Sequence, residues 1–287
     1  MEFRTIVDVP KMGFEIEPCE EMLFVGSCFA DAIGRRFQEE GFPVVVNPYG
    51  TMYNPVSVLH TITHGVRNDV QCSREHCTSF LTPCVKTVFL TLGTNHVYRL
   101  KETGEIVDNC EKRPQRLFQE EELTVEQCAD SLREAVALLR QVNPDVRIVL
   151  TVSPIRYRKY GYHESQLSKA TLLLAVNTIL KEDSRLAYFP AYELVLDELR
   201  DYRFYASDML HPSEQAVDYI WERLVEACFS KRAKTFLEEW RPVRQALAHK
   251  PFNPDSADYR QFLAQTEARL AELRAKYPGL TVTGQDK

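Results

Sequence analysis

Five short apolar runs punctuate this sequence, at Met22 to Val25, Pro43 to Val46, Thr87 to Leu92, Val146 to Val152 and Leu186 to Phe189, and each is followed by a turn. Runs of this length without a polar face read as strands covered on both sides. Helical periodicity fills the intervals, notably at Asp31 to Glu40, Thr124 to Gln141, Ser165 to Lys181 and Glu214 to Phe229. Strands alternating with helices dictate a parallel sheet, because a parallel neighbour is reached only by a crossover over one face. The expected fold is therefore α/β, a three-layer α/β/α sandwich around a five-stranded parallel sheet. Right-handed crossovers put every strand's carboxyl end on one edge, where ligands bind in such sheets. Ser27, Cys28, Gly50, Asn95 and Ser153 fall at or just past those ends.

Residues 54 to 86 and 99 to 123 read as longer connections, the second holding a tight turn or hairpin at Lys101 to Glu105. Beyond about residue 230 the pattern changes to charged helices, Ala233 to Ala248 and Asp258 to Tyr277, separated by His249-Lys250 and Pro251-Phe252-Asn253-Pro254. This divides the chain into an α/β domain over 1–230 and a helical C-terminal extension over 231–287 packed against it, with a frayed tail from Thr281 to Lys287. An apolar fraction of 44% supports a buried core. A net charge of -6 without a dense Lys/Arg run argues against nucleic acid as a partner. No run of about 18 apolar residues suggests a membrane helix, and the first 18 residues lack a secretory h-region. Eight cysteines in such a chain are expected to be reduced thiols in the cytoplasm. Cys72, Cys77 and Cys84, with His76 among them, have spacings that match no zinc pattern, so neither metal nor other cofactor is implied.

Chemistry concentrates in two places. Leu23-Phe24-Val25-Gly26-Ser27-Cys28-Phe29-Ala30 runs from an apolar strand through a glycine turn into two adjacent nucleophile-grade side chains and then a helix pattern. The N–H groups that open a helix stabilise an oxyanion and lower a thiol pKa. Far downstream, Asp208-Met209-Leu210-His211-Pro212 sets a carboxylate and an imidazole three residues apart, just before the last helix of the α/β pattern, whose first turn Pro212 fits. An imidazole titrating near about 6.5 suits proton exchange at neutral pH, and a carboxylate orients it. Taken locally, Cys28 is equally a small buried hydrophobe, Ser27 a helix cap, and Asp208 a cap beside a surface histidine.

Five blocks in order, GSCFA at 26–30, NPYGTMYNP at 47–55, TLGTNHVYR at 91–99, TVSPIRY at 151–157 and DMLHPSEQA at 208–216, resemble the GSCFA-domain family over roughly residues 15 to 260. That family is similar to the SGNH (GDSL-like) hydrolases, which implies a flavodoxin-like plan for the sheet. In the related hydrolases the pattern is Gly-x-Ser, and laying Gly26-Ser27-Cys28 on it puts Cys28 in the nucleophile's place; Ser27 takes that place if the strand ends one residue earlier. The resemblance gives His211 the role of general base and later acid, with Asp208 holding its ring. It also places a backbone donor for the oxyanion at Gly50 and a side-chain donor at Asn95. Arg156 and Arg99, just past strand ends, are candidates for clamping a carboxylate or phosphate, and equally for structural salt bridges. His96 competes as a base or forms part of a wall, and Tyr49, Tyr53 and Tyr157 suit pocket walls or packing. The expected function is a hydrolase or acyltransferase acting through an acyl-enzyme on a small-molecule or glycan ester, or a thioester. The alternative is a catalytically inactive binding module for an acyl or carbohydrate ligand.

Overall fold

The computed structural model describes residues 4–70, 80–110, 112–252 and 255–282. In chain order its elements are β1 Met22–Gly26, α1 Cys28–Glu39, β2 Val44–Val46, α2 Pro55–Val70, β3 Thr87–Leu92, β4 His96–Leu100, β5 Ile106–Val107, β6 Phe118–Glu122 and α3 Val125–Val142. There follow β7 Arg147–Val152, α4 Tyr162–Glu182, β8 Leu186–Tyr188, the short α5 Ala191–Glu193, α6 Glu214–Cys228, α7 Lys231–Leu247 and α8 Ala257–Lys276. The main sheet has the order β2-β1-β3-β7-β8 and every pairing in it is parallel. The order reverses between β1 and β3, and that reversal leaves a crevice at the carboxyl ends of those two strands.

Period-two alternation explains why the strand sequences carry no polar face. Met22, Phe24, Phe89 and Val149 pack on one side with α1 and α6, whereas Leu23, Val25, Val88, Leu90, Ile148 and Leu150 pack on the other with α2, α3 and α4. The first side is aromatic: Phe24 stacks on Phe89 with centroids 4.6 Å apart, and Phe37 meets Phe42 and Trp221 edge-on at 5.3 and 4.7 Å. The C-terminal helices join this layer directly. Phe236 of α7 packs edge-on against Phe42 and against Tyr277, Trp240 donates its indole N–H to the Glu39 carbonyl at 3.0 Å, and Arg244 pairs with the buried Glu40 at 2.6 Å. Leu280 and Val282 are buried and the Thr281 N–H bonds the Gly41 carbonyl, so the end of the chain is docked through Val282 instead of fraying from Thr281.

Two connections carry structure that their sequences do not advertise. Residues 55–70 form α2 although Val, Thr, Ile, His and Gly65 are poor helix formers; burial of Val58 and Ile62 outweighs propensity. A start signal was present, since Asn54 accepts from the Ser57 N–H at 2.9 Å as an N-cap and Pro55 takes the first helical position. Within 96–122, β4 pairs antiparallel with both β5 and β6 to make a second, three-stranded sheet, in which the acidic β6 offers little strand propensity of its own. Pro212 lies outside α6, because Ser213 is the cap, accepting from the Ala216 N–H.

One tie beneath the carboxyl edge is unusual. Lys169 of α4 is fully buried, and its Nζ donates to the Gly93 carbonyl at 2.6 Å and the Ser153 carbonyl at 2.7 Å, joining the ends of β3 and β7. Burial pushes its pKa down to about 7, far below the value of an unfolded lysine. Between those two values the unfolded chain binds more protons at this site than the folded one, so the Lys169 contribution to stability rises with pH. Urea unfolding of the wild type and Lys169→Met across pH 7 to 10 should show the wild type gaining stability relative to the variant as pH rises; a constant difference would mean that Lys169 remains charged when folded.

Candidate active site

The turn after β1 is dictated by how closely β1 and β3 approach. A Cβ on Gly26 would lie 2.0 Å from the Thr91 carbonyl oxygen, and its φ of 146° is one that side chains disfavour, so only glycine fits. The Ser27 N–H donates to that same Thr91 oxygen at 3.0 Å, and the Met52 N–H donates to the Gly26 carbonyl at 2.8 Å. Asn47, itself at a left-handed φ of 42°, accepts from the Gly26 N–H at 2.8 Å and donates through Nδ2 to Asp31 at 2.7 Å. The Thr51 hydroxyl holds the other Asp31 oxygen at 3.2 Å. The second sequence block thus clamps the first.

This clamp separates Ser27 from Cys28. Ser27 is completely buried, and its Oγ accepts from the Phe29 N–H at 3.3 Å as the N-cap of α1. Cys28 opens the helix half-buried, with its N–H ahead of the first intrahelical bond and its Sγ 3.4 Å from the Tyr53 hydroxyl. Tyr53 stands edge-on to Tyr157 with centroids 6.1 Å apart. Gly93 is required between them: a Cβ there would lie 2.2 Å from the Tyr157 hydroxyl, 3.0 Å from the Tyr53 carbonyl and 3.3 Å from the Ser27 Cβ.

The second motif forms a self-held loop before α6. Asp208 Oδ1 accepts from the Leu210 and His211 N–H groups at 2.8 and 3.0 Å, while Oδ2 meets His211 Nδ1 at 2.5 Å. Those two backbone donors and the ring hold the Asp208 carboxyl down at about 2. An ionised Oδ2 accepts from Nδ1–H, so in the neutral ring the lone pair lies on Nε2. Met209 adopts a left-handed φ of 60° to close the loop. Arg156 ties the loop to the β7 end: its N–H donates to the Leu210 carbonyl at 3.1 Å and its Nη1 to the Met209 carbonyl at 3.2 Å. Contacts therefore run from the His211 loop through Arg156 and its neighbour Tyr157 to Tyr53 and Cys28.

Three residues expected at the site are committed elsewhere. The Gly50 N–H closes a turn on the Asn47 carbonyl at 2.8 Å and so is not an oxyanion donor. Asn95 is 3% exposed, and its Nδ2 donates to the Leu123 carbonyl at 2.8 Å, tying β3 to the segment before α3 instead of facing a substrate. Arg99 is engaged by both carboxylate oxygens of Glu121 across the small sheet, which removes it as an anion clamp. His96 is buried and stacked on Tyr160 with centroids 3.8 Å apart, and burial depresses its pKa. Cys84 is exposed; Cys72, His76 and Cys77 lie outside the described residues.

Arg156 has a different setting. Its guanidinium lies 4.3 Å from the Tyr162 centroid and 5.4 Å from that of Tyr205, at the side of a groove of about 530 Å³ lined also by Gln166, Asp197, Arg200 and Tyr202. The residues that sequence reasoning missed are Asn47, Asp31, Thr51 and Lys169; only Asn47, directly before Pro48 and in the same short segment as Gly50, carried a turn signal.

A parallel sheet covered on both faces, with a cysteine at its switch point and an Asp–His pair on a loop bonded to a neighbouring strand end, defines a three-layer α/β/α protein. The chain belongs to the GSCFA family, whose model matches residues 21–82 and 64–224, and the C-terminal domain of GSCFA domain proteins matches residues 240–284. Among curated proteins none matches. Similar solved structures include a GDSL-like lipase from Bacteroides thetaiotaomicron, 12% identical over 72% of this chain and 86% of that one, with a TM-score of 0.43. Others are a member of the lipolytic G-D-S-L family from Veillonella parvula (12%, 72% and 96%, 0.42) and a psychrotrophic esterase from Pseudoalteromonas (15%, 76% and 99%, 0.38).

The clamp makes a stability prediction. Asn47→Ala leaves the buried Gly26 N–H unpaired and should lower unfolding stability by about 2 kcal/mol in urea at constant m-value. Gly26→Ala drives a methyl into a backbone carbonyl and should cost more, roughly 3–5 kcal/mol.

Proposed function

We propose that this protein is an esterase or acyltransferase that works through a thioester on Cys28. In this reading His211 Nε2 removes the thiol proton as Sγ attacks the carbonyl carbon of an ester. The C–S bond forms, the carbonyl electron pair moves onto oxygen, and on collapse the departing alkoxide takes the proton back from His211. Asp208 holds the imidazole in the required tautomer and stabilises the imidazolium. Water then releases the acid, or an alcohol takes the acyl group. The observation that carries the reading is the unequal placement of the adjacent pair: Ser27 is consumed as a buried cap, while Cys28 is reachable at a helix start, on the side of the sheet to which the His211 loop is fastened. A thioester is more reactive than an oxygen ester towards a second acceptor, which favours transfer as readily as hydrolysis. The Arg156 groove is the proposed seat of the alcohol portion, where a guanidinium among phenols suits a hydroxylated or anionic group such as a glycan.

Brief exposure to an activated acyl ester, followed by intact-mass measurement and peptide mapping, tests this. One acyl group should appear on Cys28 in the wild type, none in Cys28→Ala, and at least about 10²-fold more slowly in His211→Ala with the fold intact. Acylation at Ser27 would reverse the assignment of the pair. Absence of a His211-dependent adduct across a range of acyl groups would favour a binding module.

A further inference from the structure

With the Gly50 N–H and the Asn95 Nδ2 committed elsewhere, neither supplies a second oxyanion donor beside the Cys28 N–H. Tyr53 occupies the place where a second donor is needed. Its hydroxyl is 3.4 Å from Cys28 Sγ, and in a tetrahedral adduct on that sulfur the oxygen lies within about 3 Å of the sulfur, so an adduct turned towards Tyr53 brings its oxygen into donor range of that hydroxyl. The residue is also held more firmly than a pocket wall requires. Its carbonyl accepts from both the Gly93 and Thr94 N–H groups at 2.8 Å, fastening its backbone to the end of β3, and Tyr157 braces the ring edge-on. The Tyr157 hydroxyl is itself buried without a hydrogen-bond partner among the described residues, packed at the place of the missing Gly93 Cβ. Leaving that hydroxyl unpaired is costly, and the ring position it secures is the one that aims Tyr53.

We infer that Tyr53 is a catalytic hydrogen-bond donor, which bonds the Cys28 sulfur at rest and the oxyanion in the transition state. This rests on the Cys28 reading above. As the C–S bond forms, negative charge leaves sulfur and gathers on the former carbonyl oxygen, and a donor already beside the sulfur follows it with a displacement smaller than a bond length. The proton stays on Tyr53 throughout: burial, then the hydrogen bond and charge of Cys28, push its pKa upward, so the phenol remains O–H at neutral pH. A donor fixed before the reaction stabilises the oxyanion without reorganisation.

Tyr53→Phe keeps the ring and its packing, and two reactions of the same sulfur separate the roles. Acylation by an activated ester develops an oxyanion; alkylation by iodoacetamide displaces iodide at a saturated carbon and develops none. Relative to wild type, Tyr53→Phe should acylate about 10²-fold more slowly, with kcat and kcat/KM falling together, while alkylation at pH 7 changes less than about threefold and thermal unfolding is unchanged. Equal acylation of wild type and variant overturns this inference alone. Parallel losses in acylation and alkylation also overturn it, since they assign Tyr53 only to holding the sulfur. Failure of the wild type to acylate overturns the Cys28 reading and this inference together.

Discussion

The approach of β1 to β3 is the constraint on which the rest of the site depends. Because the Thr91 carbonyl fills the space of a Gly26 side chain, the chain leaving β1 turns at that glycine, and the next N–H is captured by the same carbonyl. The helix must then begin at once, with Ser27 as its cap and Cys28 as its first residue. A bulkier residue would push β1 from β3 and dissolve the crevice at the point where strand order reverses. Asn47 and Asp31 maintain this backbone path from outside, and Lys169 secures the neighbouring strand ends from below.

A division of labour follows between two residues of nearly equal chemistry. The serine spends its oxygen on α1, while the thiol beside it stays within reach of Tyr53. The Asp208–His211 loop is assembled from its own backbone and then fastened to the β7 end by Arg156, so its placement depends on β7 and not on α6 alone. The C-terminal helices stand behind α1 and close its aromatic layer, which links the end of the chain to the helix that opens with Cys28.

The central strands β1, β3 and β7 were legible because each is buried on both faces and so reads as a nearly unbroken apolar run, while the edge strands β2 and β8 stay partly exposed and were legible from their short apolar runs alone. Helix α2 was not, since its residues are weak helix formers stabilised by packing, and packing partners are invisible in sequence; the Asn54-Pro55 start was the available clue. Cys28, Ser27, Asp208, His211 and Arg156 were singled out by residue type, spacing and resemblance, and contacts through Arg156, Tyr157 and Tyr53 link the Asp208–His211 loop to Cys28. Gly50, Asn95 and Arg99 failed for a common reason: a donor's availability depends on whether another group already holds it, and Asn47, Leu123 and Glu121 do. Tyr53 could not be told from Tyr49 or Tyr157 before folding, because only contact distances single out the phenol beside Cys28 Sγ. Lys169 was hidden because a lysine in a helical pattern is expected to face water.

The central claim is that Cys28 attacks a carbonyl whose oxygen is received by the helix start and Tyr53. A crystal structure of the protein soaked with a short aliphatic aldehyde tests it most directly, since an aldehyde adds reversibly to a nucleophile and leaves a tetrahedral centre bearing one oxygen. The account predicts continuous density from Cys28 Sγ, with that oxygen within hydrogen-bond distance of both the Cys28 N–H and the Tyr53 hydroxyl. Addition at Ser27, or an oxygen directed away from both donors, would contradict it.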